Sequence, residues 1–307
     1  MILLLLQQAI NGVMLGAVYV TMAVAFTLMI GVLNFLNFTI PALFMLTGMI
    51  AWAAMTQSLP FQLGAPLGWL PALVIGIVVA VIASLLVERL SYRYLKARYG
   101  DASEHAIPIV SSLGFLLIFE NLVRIQFGTD THAFETPFRG ASFHLAGLLI
   151  SIPQVASLAV SLGIVAGLSL LLKRSKLGRA IRATAENPDA ALTIGINVAR
   201  IVPVIFLFAG VLCGLAAANF AINYGEVSPS MGDDVGTKAI AGMILGGLGS
   251  IWGAIAGGLL IGLVEVSSIQ LFGSDAIQAS VWGLLLLVLI IRPQGLFGHH
   301  KISKGKL

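Results

Sequence analysis

Residues 66–98 read PLGWLPALVIGIVVAVIASLLVERLSYRYLKAR, and the boundary inside this stretch decides the fold. No side chain from Pro66 to Val87 is charged, and then Glu88, Arg89, Arg93, Lys96 and Arg98 follow. As a helix, an apolar run of about 20 residues matches the hydrocarbon thickness of a bilayer, and the cations at its end mark the side on which it stops.

Further apolar runs lie on both sides of it. Together with 66–91, the spans 8–30, 36–57, 106–127, 147–172, 200–222, 250–271 and 277–292 each suit a crossing. The stretch 237–248 is too short to cross alone as a straight helix. It predicts a re-entrant or broken helix, or one that begins earlier, near Met231. The expected fold class is an all-α membrane protein: a polytopic bundle of about eight transmembrane helices plus one short re-entrant or broken helix, in a single membrane domain over residues 1–307.

Composition excludes the main alternatives. The chain is 58% hydrophobic and only 10% charged, whereas soluble domains carry about 25% charged residues. Too little polar surface exists to cover a water-soluble globule. A pI of about 9.4 does not indicate nucleic acid, because the basic residues stand beside apolar runs, where they set topology. Cys213 is the one cysteine, so neither a disulfide framework nor a thiolate metal site is expected. His105, His132 and His144 lack ligand spacing, and His299 and His300 read as part of a basic tail. The start, MILLLLQQAI, has no basic n-region and no small-residue cleavage site, which predicts no cleaved leader.

Of the 17 Lys and Arg residues, 14 fall in three groups. These are Arg89, Arg93, Lys96 and Arg98; Lys173, Arg174, Lys176, Arg179, Arg182 and Arg200; and Arg292, Lys301, Lys304 and Lys306. The alternate loops carry Asp130, Glu135, Glu226, Asp233, Asp234 and Asp275. The positive-inside rule places the basic segments in the cytoplasm, the N-terminus outside and the C-terminus inside.

The basic segment 173–200 holds the most specific pattern. Asn187-Pro188 reads as a helix start, with Asn as cap and Pro in the first turn. Ala190, Ala191 and Leu192 continue the helix, and Gly195 can end it. The segment is either an ordinary solvated loop or a knob for a groove on a cytoplasmic partner.

Asp189-Ala190-Ala191, three residues and then Gly195 resemble the EAA-x-x-x-G loop of ABC importer permeases, with Asp in place of Glu. The surrounding GRAIRATAENPDAALTIGIN (178–197) is similar to the branched-chain amino-acid permease family. So are GAVYVTMAVAFTLMIGVLNFLNF (16–38), GGLGSIWGAIAGGLLIGLVE (246–265) and IRPQGLFG (291–298), and the pattern and length look like the LivH-type subunit. The resemblance implies that Glu186, Asn187, Pro188, Asp189, Ala190, Ala191 and Gly195 form the coupling helix that docks on an ATPase. It further implies a LivM-type second permease subunit, two ATP-binding subunits that hold ATP and Mg, an extracytoplasmic binding protein, and no cofactor in this chain. The location implied is the bacterial inner membrane.

Candidates for the substrate path are Asn34, Asn37, Thr39, Asn121, Asn219, Asn223 and Gly247. Thr39 before Pro41 reads as a cap for a helix that starts inside the membrane, where free N–H groups suit a carboxylate; capping alone is the alternative. The family commonly has a small residue, His or Gln, Gly and an acid after Asn-Phe. This chain departs from that with Thr39-Ile40-Pro41-Ala42, which weakens residue-level transfer there and leaves the exact substrate open. The segments 31–57 and 237–262 share an interrupted start followed by a small-residue helix, the style of an internal repeat.

Gly249, Gly253 and Gly257 read as a packing stripe, as do Gly242 with Gly246 and Gly258 with Gly262. Glu120 and Arg124 are placed to pair. Glu265 stands alone in an apolar helix and reads as a buried, hydrogen-bonded acid, with proton coupling as the alternative. Lys238 reads as solvated beside Asp233 and Asp234 at the outer mouth, or as a contact for a binding protein.

No nucleotide motif and no catalytic constellation occurs. The function that the resemblance implies is a permease subunit of an ATP-driven importer for branched-chain amino acids. The other readings are the same machinery for urea, short amides or other neutral amino acids, or a gradient-driven secondary transporter.

Overall fold

The computed structural model describes residues 2–56, 67–94, 106–137, 142–145 and 148–298. Lys96, Arg98, His105, His299, His300 and the tail lysines lie outside the described residues. The helices are α1 (Ile2–Leu33), α2 (Thr39–Thr56), α3 (Trp69–Val87, continued by a π-helical turn, Glu88–Arg93), α4 (Ala106–Phe127), α5 (Ile152–Arg174), α6 (Lys176–Glu186), α7 (Pro188–Thr193), α8 (Val198–Tyr224), α9 (Met231–Gly246), α10 (Ile251–Phe272) and α11 (Ile277–Ile291). The described residues also form a 3-10 turn (Ser274–Ala276) and four short strands: β1 (His132–Ala133), β2 (Ser142–Leu145), β3 (Leu148–Ser151) and β4 (Glu226–Val227). β1 pairs antiparallel with β4, His132 opposite Val227, and β2 with β3, Phe143 opposite Ile150.

Eight of the described helices are long and apolar enough to cross a membrane. α9 is not among them. Its 16 residues rise about 24 Å, less than a hydrocarbon core of about 30 Å. It starts at Met231, as the earlier start of the 237–248 stretch anticipated, and ends in a tight turn before α10.

The helices sort by burial into a core and a shell. The most apolar window of α1 is 83% buried, whereas that of the Ser274–Ile291 span is 6% buried. α1, α2 and α8 form the centre, where Phe26, Phe44 and Phe206 are fully enclosed. α4 and α11 present Ile125, Leu286, Leu287 and Ile290 outward, as lipid-facing helices must.

Small residues let the central backbones approach. Gly12 and Gly16 of α1 lie on Leu263 and Leu259 of α10, and Gly210 of α8 lies on Val81 of α3, where an added Cβ would come within 3.0 Å of the facing Cα. Gly253 and Gly257 of α10 lie against the carbonyls of Gly246 and Gly242 on α9. Gly249 departs from the expected stripe: it precedes α10 with φ +81° and faces Gly31 at the end of α1. The reason is that the chain must reverse there, and left-handed backbone is compatible with a turn but not with a helix. A side chain at 257 would overlap the Gly242 carbonyl, so Gly257→Val should cost about 3 kcal/mol or more through overpacking. Gly163→Ala, which meets nothing within 4 Å, should be neutral. Thermal unfolding of the two purified variants checks this pair.

Hydroxyls inside the bundle are satisfied locally. Thr27 donates to the Ala23 carbonyl at 2.8 Å and Thr47 to that of Leu43 at 3.0 Å, the back-bonding that removes an unpaired donor from hydrocarbon.

Candidate functional site: a capped surface helix and a buried charge cluster

The described members of the three basic groups gather at one end of the bundle. Lys173, at the end of α5, sits 5.8 Å over the ring of Trp252 at the start of α10. Phe35, just past α1, stacks on Tyr92 beside Arg93 with centroids 5.7 Å apart. After Arg292, the tail returns under the α9–α10 turn: Leu296 N–H donates to the Leu245 carbonyl and Phe297 N–H to that of Gly246, both at 2.9 Å. Those carbonyls end α9 and have no intrahelical partner, so the tail completes the helix end. The opposite, far end carries β1 with β4. It also carries the clip in which Gln7 donates to the Leu149 carbonyl at 2.8 Å and accepts from the Leu149 N–H at 2.9 Å.

At the basic end, α6 and α7 form a shelf. α6 buries Gly178, Ile181 and Thr184 against the bundle, and Ser175 caps it by accepting from the Gly178 N–H at 2.8 Å. α7 is fixed at both ends. Asn187 Oδ1 accepts from the N–H groups of Asp189 and Ala190, each at 3.0 Å. At the other end, Gly195 takes φ +86°, its N–H bonds the Leu192 carbonyl, and Ile196 N–H bonds that of Ala191, both at 3.0 Å. This is a Schellman closure, which needs the left-handed residue that glycine supplies most cheaply. The helix thus starts and ends where Asn187 and Gly195 predict.

Ala191 is α7's buried residue, while Glu186, Asn187, Pro188, Asp189, Ala190 and Gly195 are exposed. Leu192 and Ile194, 55% and 72% exposed, add an apolar point to this polar end. In sequence Leu192 reads only as part of the helix and Ile194 carries no role; the signal for both is their place between an N-cap and a closing glycine, on a helix too short to bury them.

The candidate path residues are not brought together. Asn37, with Oδ1, accepts from the Thr39 N–H at 2.9 Å and from the Thr39 hydroxyl at 2.6 Å. The cap of α2 is therefore Asn37, not Thr39, because the helix begins at Thr39 itself. Asn37 and Thr39 are fully buried. Asn34 is exposed and ends α1 with φ +58°. Asn121 is exposed on α4 and donates to its own helix, at the Leu117 carbonyl. Asn219 is buried and donates to Ser161 Oγ at 2.9 Å and to the Ser157 carbonyl at 3.2 Å, joining α8 to α5. Asn223 is half-buried near the far end of α8. Gly247 sits in the turn at the basic end against Gly298.

The interior holds a charge cluster that the sequence did not predict. Lys238 is not solvated beside Asp233 and Asp234, while Glu265 is the buried, hydrogen-bonded acid expected, with Lys238 as its partner. Lys238 Nζ donates to Glu265 Oε1, and Tyr19 Oη donates to Glu265 Oε2 at 2.6 Å, with Lys238 Nζ 3.3 Å from that hydroxyl. The carboxylate is buried, and the lysine side chain is 19% exposed. Side chains on a helix lean toward its N-terminus. On α9 that direction runs toward the far end, so the flexible lysine stem lifts its ammonium to the level of Glu265 on the longer α10. The pairing follows the rule that ionisable groups inside a bundle find each other. The signal was one cation and one anion on two helices joined by a tight turn. Glu120 and Arg124 do pair as expected, at 3.7 Å.

Comparison with known proteins bears on this arrangement. A family model described as branched-chain amino acid transport system / permease component matches residues 8–292. The high-affinity branched-chain amino acid transport system permease protein BraD of Pseudomonas aeruginosa is 32% identical over 304 residues, covering 97% of each chain. LivH of Escherichia coli K12, with the same description, is 28% identical over 307 residues, again covering 97% of each. Among solved structures, PsaBC from Streptococcus pneumoniae in complex with Fab is similar at a TM-score of 0.49 and 14% identity, over 94% of this chain and 92% of that one. With its membrane-spanning bundle and a family match over nearly its full length, this chain belongs to the permease components of branched-chain amino acid transport systems.

Proposed function

We propose that this chain is the pore-forming subunit of an ATP-driven importer for branched-chain amino acids, and that α7 is the element through which ATP-binding subunits move it. The observation that carries the reading is α7 itself: six residues, closed by Asn187 and Gly195, held by Ala191 and otherwise exposed at the basic end. A solvated loop has no need of two built helix ends, whereas a docking knob must keep its shape while force passes through it. The exposed Leu192 and Ile194 give that knob an apolar tip for a groove.

The positive-inside rule puts the basic end in the cytoplasm of a bacterial inner membrane, with the N-terminus outside. The partners in this reading are a second, LivM-type permease subunit, two ATP-binding subunits carrying ATP and Mg, and an extracytoplasmic binding protein. ATP and the loaded binding protein shift the bundle between outward- and inward-open states only as far as each binds one state better than the other. α9, a helix that does not span alone and whose end is held by the tail, is the element best suited to re-seat between those states.

The test is cross-linking in the assembled transporter. Asp189→Cys, on the exposed face of α7, should form a cross-link to an ATP-binding subunit that strengthens or weakens with ATP. Asp189→Lys should lower uptake severalfold with insertion unchanged. No cross-link, together with labelling of position 189 from outside intact cells, would overturn the assignment.

A further inference from the structure

We propose that the cavity at the far end, between the first turns of α9 and α11, is a recognition subsite for a zwitterionic aliphatic amino acid. Asp233 and Asp234 face its ammonium group, Lys238 its carboxylate, and Ile277, Val281 and Trp282 its side chain. This deepens the import reading above and rests on it.

The cavity has a volume of about 330 Å³, and all six of these residues line it. That lies at the lower end of small-molecule sites, which are mostly apolar with a few placed polar groups. Its chemistry is mixed in the way the ligand is mixed. Two carboxylates sit on the first turn of α9, one ammonium follows a turn later, and α11 supplies aliphatic and indole surface. A site for a simple cation needs no lysine, and a site for an anion would not carry two aspartates.

Lys238 is also fixed in advance. Of its three N–H donors, Glu265 and Tyr19 engage two, leaving a third for a carboxylate in the cavity. Because the ammonium is already held and partly desolvated, little ordering remains to oppose binding. A lysine serving only solubility would lie free in water.

The assembled transporter carrying Gln278→Cys tests the proposal. Position 278 lines the cavity, and Cys213 is buried, so an impermeant thiol reagent reports on this site. L-Leucine should slow modification at least about fivefold. 3-Methylbutylamine, which lacks the carboxylate, and 4-methylpentanoate, which lacks the ammonium, should protect less than about twofold, each having lost a charge-assisted contact that contributes about tenfold in affinity. Adding Asp233→Asn and Asp234→Asn should abolish protection by leucine. Ser274→Cys, also on the cavity wall, serves as a second reporter if Gln278→Cys assembles poorly.

If the double Asn variant keeps leucine protection but loses stimulation of ATP hydrolysis by the binding protein, the aspartates serve protein docking and the subsite is overturned. If the transporter imports leucine yet neither reporter is protected, the subsite is overturned while the import reading stands. If it imports no branched-chain amino acid, the import reading has failed and the subsite falls with it.

Discussion

Replacing Leu192 and Ile194 together by glutamate should leave the protein inserted and folded but nearly abolish ATP-driven uptake. Neither side chain supports the fold, since they are 55% and 72% exposed. Fully burying an aliphatic side chain stabilises by about 1.5–3 kcal/mol, so burying what these two still expose contributes roughly 2–4 kcal/mol, about thirtyfold or more in affinity for an ATP-binding subunit. Introducing two charges at an apolar contact adds a desolvation penalty. Co-purification of the ATP-binding subunit and uptake should fall together, while the thermal midpoint of the permease stays unchanged. Wild-type uptake by this variant would remove α7 from the docking surface. Gly195→Trp is a less clean probe: nothing lies within 4 Å of an added Cβ, yet φ is +86°, so any larger residue also strains the helix end.

Glu265→Ala should be among the most destabilising single substitutions in the chain, through loss of the anion that Lys238 needs inside the bundle. Breaking one side of a buried ion pair costs about 3–5 kcal/mol, whereas replacing both partners by apolar residues is often close to neutral. The double variant Lys238→Met/Glu265→Leu should therefore recover most of the lost stability. Tyr19→Phe, which removes one hydrogen bond to the carboxylate, should cost about 1.5–3 kcal/mol. Unfolding in lipid nanodiscs ranks the three. Uptake separates two roles for the cluster: if Lys238 also receives substrate, the double variant regains stability without regaining transport. If Glu265→Ala were as stable as the parent, the buried pair would not hold the bundle.

The sites divide by how local their physics is. α7 was legible because its start and stop are written in adjacent residues: Asn187 with Pro188, then Gly195. The spans were legible because hydrocarbon thickness imposes a length on any helix that crosses. The apolar run around Glu265 points to the buried, hydrogen-bonded acid that is found, but Lys238 is not legible because its neighbours along the chain are Asp233 and Asp234. The partnership of Lys238 with Glu265 exists only across α9, α10 and α1. Pro41 as a first-turn residue points to Thr39 as the cap, but Asn37, two residues earlier, reaches both the backbone and the hydroxyl of Thr39.

Sequence alone determined that this is a helical membrane protein, which eight stretches are long and apolar enough to span it and where its surface helix begins and ends, since each of these is settled by the solvent or by bonds within one turn. Tertiary structure alone decided which helices form the centre, that a returning tail completes the end of α9, and that a cation and an anion 27 positions apart share one tyrosine. Such contacts depend on how separate helices are rotated and offset against each other, and small-residue packing between backbones fixes that in space without leaving a pattern along the chain.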